Sequence, residues 1–223
     1  MIVPATLDWS NIDTVLLDMD GTLLDLHFDS YFWLEHLPTR YADIHQLDAK
    51  AARDWLHTRI MQEQGTLNWY CLDYWSRELN LDIVALKEEV ADRIAFRPYV
   101  QDFLQKLRDT GLRSVIVTNA HQGSLSLKLA NTDLAARVDA IVCSHDFGLP
   151  KEDPVFWSRL QEVEPFNPRR TLLIDDSLSV LASAQTYGIR YLLAISQPDS
   201  QNPARDINEF GALEHFNELE RRG

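Results

Sequence analysis

Three short runs, Thr14 to Asp18, Ser114 to Thr118 and Thr171 to Asp175, are rich in β-branched and leucine residues, and each stops abruptly in polar side chains. Helical periodicities separate them, and this alternation constrains the fold more than any other feature. A short apolar run without polar alternation reads as a strand buried on both faces, as in a parallel sheet. Ala140 to Ser144 and Tyr191 to Ser196 are weaker runs of the same kind. Val100, Phe103, Leu104 and Leu107 fall at i, i+3, i+4, i+7, with Pro98 ahead of them and Gly111 just beyond the end. Phe156, Leu160 and Val163 repeat the pattern, as do Val180, Leu181, Ala184 and Tyr187 before Gly188. Strand, helix, strand predicts an α/β fold, a Rossmann-like doubly wound parallel sheet covered by helices on both faces.

The stretch from Phe28 to Phe96 breaks the alternation, because it carries several helical patterns in succession and no strand. Leu67, Tyr70, Cys71, Tyr74, Trp75 and Leu79 form one apolar face, and Ile83, Leu86, Val90 and Ile94 another. Residues 28–96 therefore read as a small helical domain inserted into a core made of residues 1–27 and 97–223. Arg97-Pro98 is the expected hinge, since the residue before proline is pushed out of the helical region. Gln197 to Gly223, polar and proline-containing, reads as a surface tail.

Composition narrows the function. With 21 basic against 34 acidic residues the formal charge is −13, a field that repels nucleic-acid polymers and anionic membranes. A small anion is still admissible, because a local cation can reverse the potential inside one pocket. The longest apolar run, Tyr191 to Ile195, is far too short to span a bilayer, and the opening MIVPATLDWS is no basic apolar leader; a cytoplasmic protein is expected. Cys71 and Cys143 lack the paired spacing of zinc or redox motifs and read as buried thiols.

In open α/β sheets ligands bind beyond the carboxyl ends of the strands. Those ends hold Asp18-Met19-Asp20-Gly21-Thr22, Thr118-Asn119 and Asp175-Asp176, with Lys151 in an intervening loop. Each group alone has an ordinary reading as a turn, a helix cap or a surface lysine. Together, in this order, they place four carboxylates, a hydroxyl and an amine in one crevice. Four carboxylates repel one another unless a divalent cation joins them, and an all-oxygen ligand set suits Mg²⁺.

These residues resemble the four motifs of the haloacid-dehalogenase superfamily of phosphotransferases, over the span from Val15 to Ser177. The resemblance implies that Asp18 is the nucleophile and carries an aspartyl-phosphate, splitting hydrolysis into two displacements. It implies that Asp20 is the general acid and base. Thr118, Asn119 and Lys151 would hold the transferring phosphoryl group, and Mg²⁺ would lie among Asp18, Asp20 (through its carbonyl), Asp175 and Asp176. Dehalogenases and phosphonate cleavers of the superfamily lack an acid at the position of Asp20, so its presence argues for phosphate esters. Two departures stand out. Asp175-Asp176 replaces the more usual Gly-Asp with a second Asp four residues on, where this chain has Val180, and Glu152 follows Lys151 where proline is frequent. A signalling receiver domain is disfavoured by order, since it would place its lysine last.

Thr14 to Asp25, Phe28 to Trp33, Thr66 to Ser76 and Val117 to His121 are further similar to the bacterial GMP/IMP nucleotidases of that superfamily. This implies hydrolysis of a purine nucleoside 5'-monophosphate. Other small phosphorylated metabolites, such as a sugar phosphate or phosphoglycolate, and a phosphomutase reaction stay open. Trp33, Trp55, Trp69 and Trp75 all fall in the insert, either as core or as stacking surfaces for a base. His121 is placed near the phosphate by position or is a plain loop residue.

Overall fold

The computed structural model describes residues 7–222, so the opening six residues lie outside it. Six parallel strands form one sheet in the order β3-β2-β1-β4-β5-β6. In chain order, β1 (Thr14–Leu17) is followed by six helices: α1 (His27–Tyr31), α2 (Leu37–His45), α3 (Ala49–Met61), α4 (Leu67–Tyr70), α5 (Leu72–Leu79) and α6 (Ile83–Glu88). Then come α7 (Val100–Asp109), β2 (Arg113–Thr118), α8 (Gln122–Ala130), β3 (Ala140–Cys143) and α9 (Pro154–Val163). The chain continues with β4 (Thr171–Asp175), α10 (Leu178–Tyr187), β5 (Tyr191–Ile195) and β6 (Gly211–Leu213). All five strands expected from sequence are present, and no helix among the described residues is long and apolar enough to cross a membrane.

Successive strand residues point to opposite faces, and two cores result. Val15, Leu17, Ile116, Leu172 and Ile174 pack with Val100, Phe103, Leu104 and Leu107 of α7. Leu16, Val115, Val117 and Leu173 pack with Phe156 and Leu160 of α9 and with Val180, Leu181 and Ala184 of α10. The buried residues of a third cluster all fall between Phe28 and Val90, with Phe32, Leu56, Trp75, Leu79 and Ile83 fully or almost fully buried, and Leu127 of α8 packs against it. The inserted helices thus carry a core of their own.

The structure corrects the sequence reading at four places. The segment from Gln197 is no surface tail over its described residues, Gly223 lying outside them: β6 pairs with β5, and Leu213, Phe216 and Leu219 are buried in the first core. Val163 is 61% exposed, and Trp157 takes its expected place inside α9. The continuous apolar face from Leu67 to Leu79 is broken at Cys71, whose extended backbone ends α4 and starts α5, so Leu72 rather than Tyr70 or Tyr74 joins the buried set. Cys71 itself is only half-buried, while Cys143 is buried.

At the expected hinge, Arg97 is buried and donates to the carbonyls of Thr22, Gln197 and Glu214 at 3.2, 2.9 and 2.7 Å. It ties the end of the insert to the first strand loop and to the carboxyl-terminal segment.

Candidate active site

Register sets the geometry. Leu17 of β1 lies opposite Ile116 of β2 and Ile174 of β4, so Asp18 is level with Val117 and Asp175 on the flanking strands. Lys151 bridges this row. Its Nζ donates to Asp18 Oδ1 at 2.6 Å, to Asp175 Oδ2 at 2.7 Å and to the Val117 carbonyl at 3.0 Å. An ammonium has three donors, and all three are engaged. Burial lowers the Lys151 pKa, but Asp175 and Asp18 outweigh it, and the group is held well above the ordinary lysine value.

The remaining oxygen of Asp18, Oδ2, is buried and has no hydrogen-bond partner. Burial pushes the Asp18 pKa up to about 6; Lys151 opposes the rise and Asp175 adds to it. Asp175 is spoken for on both oxygens, by Lys151 and by the Ser177 amide at 2.9 Å. Asp176 is raised well above the ordinary carboxylate value by burial and by the charges of Asp18 and Asp175. Carboxylate oxygens of Asp18, Asp175 and Asp176 lie within 4.8 Å of one another. Two buried acids and the half-buried Asp176, whose pKa values are raised by burial and, for Asp18 and Asp176, by one another's charges, with one oxygen unpartnered, form a donor set that fits a hard divalent cation.

Gly21 explains the glycine of the first motif. Its φ is +86°, and a Cβ there would lie 2.9 Å from Asp176 Cγ, Asp176 Oδ2 and Pro198 Cβ. Only glycine lets the loop after β1 close against the acid pair. Thr118 Oγ1 accepts the Ala120 amide at 3.0 Å, which leaves its own proton to donate. Asn119 locks the lysine loop: its Oδ1 accepts the Lys151 amide and its Nδ2 donates to Glu152 Oε2, both at 2.9 Å.

Asp20 turns away from this row toward the insert. Lys128 Nζ of α8 lies 2.7 Å from Asp20 Oδ1 and 2.6 Å from Asp29 Oδ2, and Lys87 Nζ of α6 lies 2.6 Å from Asp29 Oδ1. The four charges alternate in a line, with both ammoniums fully buried and 5.3 and 4.7 Å from the Phe28 ring. Burial pushes Asp20 up to about 6, with Lys128 pulling down and Asp29 pushing up. Burial also works against Asp29, yet Lys128 and Lys87 prevail and hold it well below the carboxylate range.

Asp29, Lys87 and Lys128 were not singled out from the sequence, while Glu152 stood out only as a departure after Lys151 and Tyr70 only as part of an apolar helix face. Glu152, standing where proline is frequent, accepts Tyr70 Oη of the insert at 2.8 Å as well as Asn119. A signal for the two lysines exists: Lys87 is four residues after buried Ile83 and Lys128 three after buried Leu125, so each sits on the apolar face of its helix. A lysine there needs a buried partner.

Above the row opens a cleft of about 870 Å³, lined from below by Asp18, Asp20, Thr118 and Asp176 and from the insert by Trp33 and Trp69, among others. The four insert tryptophans divide. Trp75 is fully buried and donates to the Trp69 carbonyl at 3.2 Å, and Trp55 is 48% exposed against Tyr41, so only Trp33 and Trp69 face the cleft. His121 caps α8, accepting the Gly123 amide at 3.2 Å, and also borders the cleft.

A parallel α/β sheet whose strand ends gather an Asp-x-Asp-Gly-Thr loop, a threonine, a loop lysine and an acid pair defines the haloacid dehalogenase-like hydrolases. The model of that family matches residues 12–188, and the chain belongs to it. Relatives narrow the class to enzymes of the phosphatase type. The chain is 40% identical over 211 residues to the GMP/IMP nucleotidase YrfG of Escherichia coli K12, with 95% of each chain covered, and matches the Shigella flexneri protein of the same name equally well. In fold it is similar to a HAD phosphatase from Thermococcus onnurineus (TM-score 0.78, 21% identity, 94% and 97% of the chains covered). The HAD-hydrolase YfnB of Bacillus subtilis is also similar (TM-score 0.68, 19% identity, 94% and 97% covered).

Proposed function

We propose that the protein is a Mg²⁺-dependent phosphomonoesterase that hydrolyses purine nucleoside 5'-monophosphates, GMP and IMP, through an aspartyl-phosphate on Asp18. The observation that carries this reading is Asp18 itself: Lys151 fixes one carboxylate oxygen, and the other is buried, unpartnered and at the floor of the cleft. A carboxylate approaching a phosphate dianion at about 4 Å meets roughly 4 kcal/mol of repulsion per charge pair at an effective dielectric near 20. Mg²⁺, held by Asp18, Asp176 and the Asp20 carbonyl with Asp175 beside them, would supply the charge that offsets this repulsion.

The chain's own groups do the rest. Asp18 attacks phosphorus, and the bond to the ester oxygen breaks. Lys151 neutralises the row of acids by its charge, and the Thr118 hydroxyl and Asn119 amide donate to the phosphoryl oxygens. Asp20, its pKa raised to about 6, gives a proton to the departing 5'-oxygen and then takes one from the water that cleaves the acyl phosphate. Lys128 keeps its carboxylate in place. Residues 28–96 act as a cap that shuts water out of the first displacement.

The cleft supports a nucleotide better than a small phosphate ester. It pairs the phosphate row with two tryptophan faces, and base stacking on such a face is worth roughly 1 to 3 kcal/mol. Guanine and hypoxanthine share an O6 acceptor and an N1–H donor that adenine lacks, so a site paired to both rejects AMP. A cytoplasmic location agrees with a nucleotide substrate. Phosphate release from GMP, IMP, AMP, CMP, sugar phosphates and phosphoglycolate, with and without Mg²⁺, tests the proposal. GMP and IMP should lead in kcat/KM, and only with the metal. A sugar phosphate ahead of GMP, or phosphate passed to a second acceptor instead of released, would refute it.

A further inference from the structure

Cys71, His121 and His145 come from three distant parts of the chain, and the acid row uses none of them. Their ligand atoms nonetheless all lie within 4.8 Å of one another. The two imidazole rings stand perpendicular with centroids 5.1 Å apart. His145 directs Nε2 at the Asn119 carbonyl, 3.2 Å away. A carbonyl only accepts, so the proton is on Nε2 and the Nδ1 lone pair is available. An imidazole anchored through one nitrogen to a backbone carbonyl is how metal-ligating histidines are held.

Zinc bonds of about 2.3 Å to sulfur and 2.0 to 2.1 Å to nitrogen place tetrahedral ligands roughly 3.3 to 3.6 Å apart. From separations within 4.8 Å, each pair of atoms needs to close by roughly 1.2 to 1.5 Å at most. A thiolate is a soft donor and imidazole nitrogen suits Zn²⁺, so Zn²⁺ is favoured there and Mg²⁺ stays with the carboxylates. The fourth position falls to water or to Asp73, whose Oδ2 is 3.5 Å from His121 Nε2 and exposed. Binding releases the Cys71 thiol proton to solvent. His121 accepts the Gly123 amide on Nδ1, so binding through Nε2 moves that ring proton to Nδ1 and gives up this one contact.

We propose that Cys71, His121 and His145 form a second metal site, specific for a thiophilic divalent cation such as Zn²⁺, that staples the helical insert to the sheet and slows turnover. Cys71 joins α4 to α5 in the insert, whereas His121 starts α8 and His145 follows β3 in the core. A cation shared by the three ties the two parts together beside the cleft that His121 borders, which slows the entry and release of substrate.

The test uses the full chain in Mg²⁺ buffer, titrated with Co²⁺ as a spectroscopic stand-in and then with Zn²⁺. Cys71→Ser is the informative variant. Cys71 Sγ caps α5 by accepting the Tyr74 amide at 3.4 Å, and serine is a better cap, so the fold and the Mg²⁺-supported rate are kept. One Co²⁺ per chain should bind with thiolate-to-cobalt charge transfer in the near ultraviolet, and Zn²⁺ should displace it. Cys71→Ser should lose the band and bind at least about tenfold more weakly, as His145→Gln should. Zn²⁺ should inhibit phosphate release from an aryl phosphate at saturating Mg²⁺, and Cys71→Ser should need at least about tenfold more. Absence of the thiolate band, or equal inhibition of both proteins through the Asp18 row, would overturn the proposal. The binding arm decides it even if the substrate assignment fails.

Discussion

Replacing Lys128 by Met removes one positive charge from the buried line that ends on Asp20. Lys128 is 1% exposed and, among the described residues, is the only group that touches both Asp20 and Asp29, at 2.7 and 2.6 Å. Methionine matches its volume, so packing around Phe28 is largely kept. Asp20 and Asp29 are then left with Lys87 alone, a net buried negative charge. Removing one partner from a buried ion pair costs about 3 to 5 kcal/mol, which for a domain of this size lowers Tm by roughly 6 to 20 °C. Urea unfolding of the variant beside wild type measures the loss. Adding Asp29→Asn removes the surplus charge and should return at least half of it, a coupling that a double-mutant cycle isolates. A loss below about 1 kcal/mol for Lys128→Met, or additive effects in the double variant, would show that the four charges do not act as one unit.

Gly21→Ala should be inactive and less stable, because its Cβ would meet Asp176 and Pro198 at 2.9 Å with φ at +86°; retained turnover at wild-type stability would remove the close-approach argument. Without Mg²⁺, Asp18 keeps its proton to about pH 6 in the native chain, against 3.8 ordinarily, so it contributes most below pH 4 and its contribution falls as pH rises to 7. Asp18→Asn should therefore gain on wild type in unfolding free energy across that window, and a flat difference would contradict the shift. Mg²⁺ at about 100 times its Kd should add roughly 2.7 kcal/mol to wild type and much less to Asp18→Asn, read as Tm against metal concentration. Trp69→Ala should cost about 1 to 3 kcal/mol in kcat/KM with GMP and little with an aryl phosphate. Trp75→Ala, in the insert core, should lose about 3 to 5 kcal/mol of stability and activity on both substrates alike; the opposite pattern would exchange the two roles.

Much of this site is legible in the sequence because buried strands tolerate polar residues only at their ends. Asp18, Thr118 and Asp175 stand out against the apolar runs before them, and the sheet register then brings Asp18 and Asp175 level, with Thr118 one residue beyond Val117 on the next strand. What is not legible depends on long-range pairing. Asp29 meets Lys87 across 58 positions and Lys128 across 99, and nothing local distinguishes these from solvated lysines except their place on an apolar helix face. β6 was missed because Gly211-Ala212-Leu213 is too short to show a pattern, and its strand character comes from the β5 edge it completes. Val163 and Trp157 show the same limit in α9. The helical period is satisfied by either residue, and the sheet surface below selects the larger ring.

The central claim is that Asp18 carries the phosphoryl group. The direct measurement mixes the enzyme and Mg²⁺ with GMP radiolabelled in its phosphate, quenches in acid within the first turnover, and maps the label by peptide. Label should appear on the peptide containing Asp18, be discharged by hydroxylamine as an acyl phosphate is, and be absent with Asp18→Asn. Turnover of GMP with no label on the chain, or with label on His121 or any residue other than Asp18, would contradict the account.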